Sequence, residues 1–548
     1  MSSTEVSPIE HGKIEEAGLE TANSGTERAF LTGWRLHFTT LGIVLTLLLI
    51  NLEVTIVSTS LVAITNELGE YSETSWIVST YLITYMGFMI LWSKFSDIAG
   101  RKFSFLATVF IFTAFSGACG GTRTMNQLIT CRAFQGIGGA GGYSLSTLVT
   151  YEMVPKSKLP LYGAVNAASV ALATLLGPLF GGLVNNHTTW RWIFYLNLPA
   201  GVCVMVILFL TIPSGFPDHT SSNLRKQRQT LRVTLQAMKR IDIAGGILML
   251  GGSLLLSSAL LETSLRFGWS NGGTIALLVL SGACWVLFFS WEWFISRDRV
   301  PQEPLFPWKF VHDGPWKGML ITTLFAGVPF NVIVVFLPQR LQIVSGQSPL
   351  DAGLHLLPYT FGAAFGAAIS NALGSKRRLA TGHVLLLGAA LQVLGLALLS
   401  TSPTNNVFPS KAYGFATIAG VGMGMSFGML VLATPWMVDQ EDLSVASGAI
   451  IQFRFLGGVI GLAIATSMLN ARVKTHLANI LDARTLSALF ERTEVLETFS
   501  PTVRAQVIHV FAQEYNLQSY VMIAFAAVQI VVVLVFWNPK WAARDLIQ

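Results

Sequence analysis

Charge is scarce in this chain: Asp, Glu, Lys and Arg make up 12% of its 548 residues, against roughly 25% in an ordinary soluble domain. With 52% hydrophobic residues and a mean hydropathy of +0.57, it reads as a polytopic membrane protein. The four cysteines, Cys119, Cys131, Cys203 and Cys284, all lie inside apolar runs, without a CxxC pair or a histidine at ligand spacing, so no metal site is expected. A nucleophile triad, a nucleotide-binding loop and clustered metal ligands are also missing, which argues against an enzyme and against a cofactor. The first thirty residues are polar and have no apolar signal-peptide core, so they read as a disordered tail preceding a signal-anchor span. The net charge of +6, with a pI near 9.1, does not point to nucleic acid, because the basic residues fall in short loops between apolar runs.

Membrane-length runs begin near Leu41, Thr74, Phe103, Leu128, Leu161, Ile193, Ile241, Thr274, Met319, Ala352, His383, Ala412, Ala446 and Tyr520, about fourteen helices in all. The Gly-rich stretches 136–142 and 420–428 suit close helix packing. Lys94, Arg101, Lys102, Lys156, Lys158, the cluster from Arg225 to Arg240, and Lys376 to Arg378 fall on one side, which puts both termini in the cytoplasm.

Similar loops after the second and tenth spans, and paired glycines in the fifth and thirteenth, suggest two six-helix halves with two helices between them. The expected organisation is a disordered tail 1–36, a six-helix bundle 37–213, a basic cytoplasmic loop 214–240, two extra spans 241–296, a cytoplasmic loop 297–315, a second bundle 316–538 and a tail 539–548. The second bundle would include a long external loop, 470–518, capping the outer vestibule. Asn186-His187-Thr188 is a glycosylation sequon next to the membrane, and an unmodified loop is preferred.

Glu53 interrupts the first apolar run and Arg132 the fourth. A charge at a helix centre costs roughly 2.5 to 3.5 kcal/mol, so each needs a reason to be there. If they face one another, Glu53 can carry a proton as Arg132 or solvent approaches, or the two can form a static pair that holds the bundle. Arg454 is a second intramembrane cation, facing either a cavity or a structural partner. Asp242 and Glu292 lie near span ends, where interfacial water would solvate them. His355 and His383 read as packing residues, and Trp190, Trp192 and Trp537 as interfacial anchors.

Ser93-Lys-Phe-Ser-Asp-Ile-Ala-Gly-Arg-Lys102 resembles the signature after the second helix of major facilitator superfamily transporters, with Asp97, Gly100, Arg101 and Lys102 matching and Ser93 replacing a glycine. Arg132-Ala-Phe-Gln-Gly-Ile-Gly resembles that family's fourth-helix pattern, and Leu176-Gly-Pro-Leu-Phe-Gly-Gly182 its fifth-helix antiporter motif. Asn51-Leu-Glu-Val-Thr-Ile-Val57, Trp190 to Pro199, Leu337 to Gln342, Ser348 to Gly353, Gln452 to Gly458 and Tyr515 to Gln518 are similar to the fourteen-helix drug:H+ antiporter branch, particularly its fungal members. In the first of these, glutamate replaces the branch's aspartate.

The resemblance implies an all-α fold and a monomeric, proton-coupled exporter of small hydrophobic or amphipathic compounds, working by alternating access in the plasma membrane. It assigns proton coupling to Glu53 and Arg132, a conformational latch to Asp97, Gly100, Arg101 and Lys102, and bending to Gly177, Pro178, Gly181 and Gly182. Gln135, Gln452 and Arg454 are candidate cavity residues. A proton-coupled uptake or vacuolar carrier, and a transporter-like nutrient sensor, are the alternatives.

Overall fold

Hydrocarbon gives a backbone amide no water to bond, so each apolar run must satisfy its own peptide groups as a helix. A computed structural model describes residues 30–69, 73–155, 158–217, 242–265, 270–297, 304–306, 308–375, 380–402, 409–438, 442–491 and 493–536. The first half comprises α1 (Gly33–Leu68), α2 (Thr74–Ala99), α3 (Arg101–Gly120), α4 (Met125–Met153), α5 (Leu159–His187), and the broken pair α6 (Arg191–Tyr195) and α7 (Asn197–Thr211). Two further long helices follow, α8 (Ile243–Leu265) and α9 (Gly272–Arg297), then the short α10 (Lys309–His312). The second half is α11 (Gly314–Ser345), α12 (Pro349–Ser375), α13 (Thr381–Ser400), α14 (Lys411–Met437), α15 (Leu443–Leu477), the short α16 (Ala483–Glu491) and α17 (Pro501–Phe536). Among the described residues there is no strand.

Thirteen segments among the described residues are long and apolar enough to cross a membrane, with α6 and α7 counted as one. The 29-residue α4 is as long, but its glycines and polar side chains lower its hydropathy, and it makes the fourteenth. These polar features are what its packing uses. A Cβ at Gly136 would overlap Thr84 and the Tyr81 carbonyl of α2, and one at Gly138 would overlap the Phe112 backbone of α3. Only a helix surface without side chains lets two neighbours come this close.

The two halves repeat each other contact by contact. In the first, α1 packs on α5, α2 and α3 on α4, and α7 on α1 and α3. In the second, α11 packs on α15, α12 and α13 on α14, and α17 on α11 and α13. The halves meet along α5 with α12 and α2 with α15, two seams that exchange under the same correspondence. Helix α8 covers the α2 and α15 seam, and α9 packs on α8, leaving Val279, Leu280, Val286 and Leu287 exposed as a lipid-facing side would be.

Several expectations change. The first helix begins at Gly33, inside the stretch read as tail 1–36. The segment 470–518 is not one long loop, because α15 runs on to Leu477 and α17 starts at Pro501. Only 478–500 connects them, and it carries α16 and a 3-10 turn at Thr493–Thr498 that touches α1. Asp242 and Glu292 are buried rather than solvated. Asp242 caps α8 by accepting from the Gly245 amide and the Trp291 indole, each at 2.8 Å, while the chain folds back so that the Phe306 amide donates to Glu292 at 3.2 Å. Trp190 is also buried, its indole donating to Glu67 at 2.7 Å, whereas Trp192 is exposed. Trp537, the basic cluster 225–240, Lys376 to Arg378 and the tail 539–548 lie outside the described residues.

Candidate functional site

Glu53 sits midway along α1 with no exposed surface, and its carboxylate is held from two sides. Arg132 Nη1 of α4 lies 2.7 Å from Oε1, and the Asn197 amide of α7 donates to Oε2 at 2.6 Å. Arg132 Nη1 also donates to Gln135 Oε1 at 2.7 Å, and its Nε to the Ile77 carbonyl of α2 at 3.2 Å. Its guanidinium lies over the Tyr81 ring, 4.2 Å from the centroid. Gln135 in turn donates to Ser116 of α3 at 2.7 Å. Five helices thus converge on one buried ion pair. The geometry is that of a pair whose rupture without compensation costs about 3 to 5 kcal/mol, so any proton delivered to Glu53 must come with a rearrangement around Arg132.

Sequence reasoning named Glu53, Arg132 and Gln135 but not Asn197, Ser116 or Tyr81. Asn197 lies within the Trp190 to Pro199 stretch, where an asparagine amid apolar residues was the available signal.

The antiporter-motif stretch lies one turn beyond Glu53. A Cβ at Gly177 would overlap Thr55, and one at Gly181 would overlap Thr59 and the Ile56 carbonyl, so α5 is pressed against the helix that carries the carboxylate. Gly182 and Pro178 face the other way, into the second half: a Cβ at Gly182 would overlap the Leu350 backbone of α12, and one at Gly353 of α12 would overlap the Pro178 carbonyl. A single turn of α5 therefore touches both the ion-pair helix and the opposing bundle. Asn186 is exposed in the last turn of the same helix.

The loop signature builds a second charge cluster at the Gly33 end of the bundle. Gly100, at φ 90°, separates α2 from α3. Arg101 pairs with Asp97 at 2.6 Å and makes a two-pronged contact with Glu152 of α4, at 2.9 Å from Nε and 2.6 Å from Nη2. Lys102 instead lies over the Phe209 ring of α7, 4.6 Å from its centroid. Glu152 was not singled out from the sequence, yet it is the less exposed of the two carboxylates that pair with Arg101.

Between the halves lies a cavity lined by α4 (Tyr143, Thr147, Tyr151), α5 (Gly163, Asn166, Thr174), α12 (Thr360, Asn371), α14 (Phe427, Trp436) and α15 (Arg454), with Phe330 from α11. Leu159, Pro435 and Trp436 belong to the Gly33 ends of their helices, so the cavity reaches toward that end. An alanine-rich slot between α5 and α12, with Leu161, Leu172 and Phe361 at its exposed edge, shares Ala167, Ala171, Ala364 and Asn371 with it. Gln452 does not line this cavity. Two positions along a helix are about 200° apart, and Gln452 turns toward Met249 of α8 while Arg454 turns inward. Gln135 belongs to the Glu53 network. His355 accepts its role as a satisfied side chain, with Nδ1 2.6 Å from the Asp351 carbonyl and its ring beside Tyr413.

A family profile described as Major Facilitator Superfamily matches residues 41–462. The MFS-type transporter FPY5 of Fusarium mangiferae is 36% identical over 531 residues, covering 96% of this chain and 88% of that protein. The rubrofusarin-specific efflux pump aurT of Gibberella zeae is 27% identical, covering 91% and 89%. The efflux pump aflT of Aspergillus parasiticus is 28% identical, covering 82% and 84%. In fold, the chain matches a bacterial homologue of the human lysosomal transporter Spinster with a TM-score of 0.61, at 14% identity over 93% of this chain and all of the other. The repeated halves, the cavity between them and the profile across most of the chain agree: this protein is a member of the major facilitator superfamily.

Proposed function

We propose that this transporter is a proton-coupled exporter of small hydrophobic or amphipathic organic compounds of the fungal-metabolite kind. The observation that carries the proposal is the Glu53 and Arg132 pair at 2.7 Å, fully buried and packed against the α5 turn that also touches the other half. A carboxylate there can change protonation state only when the surrounding helices move, which ties a proton to the motion of the bundle. The Gly33 end is then the cytoplasmic end and the cavity is open inward. Cargo enters while Glu53 is paired, the halves rock about the α5 and α12 contact, and a proton taken up from outside releases Arg132 and resets the cycle. Export of metabolites by similar pumps, including one described as rubrofusarin-specific, supports this direction over uptake. The protein acts as a monomer in the plasma membrane with both termini in the cytoplasm.

The test uses sealed vesicles of both orientations, offered a panel of aromatic metabolites and lipophilic dyes from the outside, under an imposed pH gradient. Inside-out vesicles acidified internally should accumulate at least one compound, and dissipating the gradient should abolish it. Accumulation only in right-side-out vesicles acidified externally would instead make the protein an importer.

A further inference from the structure

Among the described residues Arg132 and Arg454 are the two most deeply buried arginines, at 1% and 3% exposure, and only the first has a carboxylate partner. Arg132 has Glu53. Arg454 of α15 is 3% exposed, and its Nε and Nη1 have no hydrogen-bond partner. It lines the cavity between the halves, with its guanidinium 3.9 Å from the Phe427 centroid, 4.6 Å from Phe330 and 5.6 Å from Phe455. Ring faces attract a desolvated cation, which helps hold the charge there but leaves Nε and Nη1 without acceptors. Two tyrosines pack next to those rings, Tyr85 edge-on to Phe455 at 4.5 Å and Tyr359 tilted against Phe330 at 6.4 Å, and both hydroxyls are buried without a partner. The site therefore offers an unpaired planar cation and aromatic walls, with spare tyrosine hydroxyls behind those walls, and has no carboxylate among the described residues that line it.

We infer that Arg454 is the recognition point for an anionic group on the cargo, so that the compounds carried are aromatic acids, with a carboxylate or an ionised phenol seated on the guanidinium and the ring system in the adjoining cavity that Tyr143, Phe427 and Trp436 line. A planar fork with two free N–H directions matches a carboxylate, and the charge-assisted bonds it forms in a dry site are the strong kind. A neutral compound of the same shape fills the same walls but brings no charge to the guanidinium, so its hydrogen bonds are the weaker kind. A cation meets repulsion. The inference rests on the export reading only in taking this cavity as the cargo site.

The experiment measures equilibrium binding of 2-naphthoate, neutral 2-naphthamide and 2-naphthylmethylammonium to the full-length protein in phosphatidylcholine nanodiscs, whose lipid carries no net negative charge. Wild type should prefer the naphthoate, and Arg454→Gln should weaken it by about ten- to a hundredfold, the range for charged hydrogen bonds, while naphthamide affinity stays within about twofold. Retained naphthamide binding shows that the variant is folded. Arg454→Lys keeps the charge and should retain more naphthoate affinity than Arg454→Gln, and Tyr359→Phe should weaken the naphthoate more than the amide. Equal losses for both probes in Arg454→Gln, undiminished naphthoate binding, or a preference for the ammonium would overturn the inference. Replacing the neutral lipid with phosphatidic acid should leave naphthoate affinity within about twofold; strong competition would mean the site serves a lipid headgroup and would also overturn it. No gradient is used, so a protein that binds naphthoate through Arg454 but moves nothing would sink the export reading and leave this one standing.

Discussion

Glu53 and Asn197 stand 144 positions apart in the chain and 2.6 Å apart in the fold, with the asparagine amide donating to Oε2 of the carboxylate. Arg132 holds Oε1 from the other side, so the carboxylate is clamped between α4 and α7. Asn197→Leu keeps the bulk and removes the donor. It should cost about 1 to 3 kcal/mol, the penalty for leaving a buried acceptor unsatisfied, read as a lower Tm of the purified protein. An unchanged Tm would mean that the amide contributes nothing to holding Glu53.

The second prediction concerns the α5 turn. Gly177→Leu and Gly181→Leu force side chains into Thr55 and Thr59, so transport should fall by at least about tenfold while membrane insertion persists, since small residues at such interfaces serve approach between helices. Gly282→Leu is the control: it lies on α9 with nothing within contact distance of an added Cβ, and transport should be unaffected. Normal flux in both α5 variants would reduce the motif to packing.

The third addresses the charge cluster at the Gly33 end. Arg101 and Glu152 form a largely buried two-pronged pair, and removing one member of such a pair costs about 3 to 5 kcal/mol. Glu152→Ala should therefore be as harmful to expression-matched transport as Asp97→Ala or more so, and the exchange Arg101→Glu with Glu152→Arg should recover part of the loss. Glu152→Ala with full activity would leave Asp97 as the sole working partner.

How far the sequence disclosed this arrangement depended on the kind of signal. A charge in an apolar run is conspicuous because it is costly, which is why Glu53, Arg132 and Arg454 were visible. Asn197 and Ser116 were not, because an uncharged polar residue in a span is inexpensive and its meaning depends on which helix faces it. Glu152, at the end of α4, carries no signal of its own in the sequence, and only the fold brings it to Arg101. Glu292 was misread for a related reason: distance along the chain to the span end implied water, but the segment through Phe306 folds back and covers it. Gln452 and Arg454, two residues apart, had to face opposite ways on a helix, and sequence alone did not say which faced inward. Thirteen of the spans were legible because hydrophobic length is a local property, whereas α4 is less apolar and shows itself by its length and its glycines. The end of α15 and the start of α17 were harder to place, because beyond the apolar run only packing and the pairing of His476 with Glu514, at 3.1 Å, mark the helices.

A fourth prediction fixes orientation. A tag at Ser487, on α16 between α15 and α17, should be reachable from outside intact cells, and one at Ser222 only after permeabilisation, because basic loops stay in the cytoplasm. The reverse pattern would invert the proposed direction of transport.

The measurement that bears most directly on proton coupling is export from energised vesicles over a pH series, comparing wild type with Glu53→Gln at matched expression. The amide keeps the volume and a hydrogen-bonding end but cannot titrate. Gradient-driven export should therefore disappear and the remaining flux should lose its pH dependence, while naphthoate binding at Arg454 survives. Arg132→Ala should be more damaging than Arg132→Lys, which keeps the charge without the fork, and neither should reproduce the flat pH response of Glu53→Gln. Wild-type pH dependence and full gradient-driven export in Glu53→Gln would contradict the account, leaving the Glu53 and Arg132 pair as a structural tie and the proton to another residue.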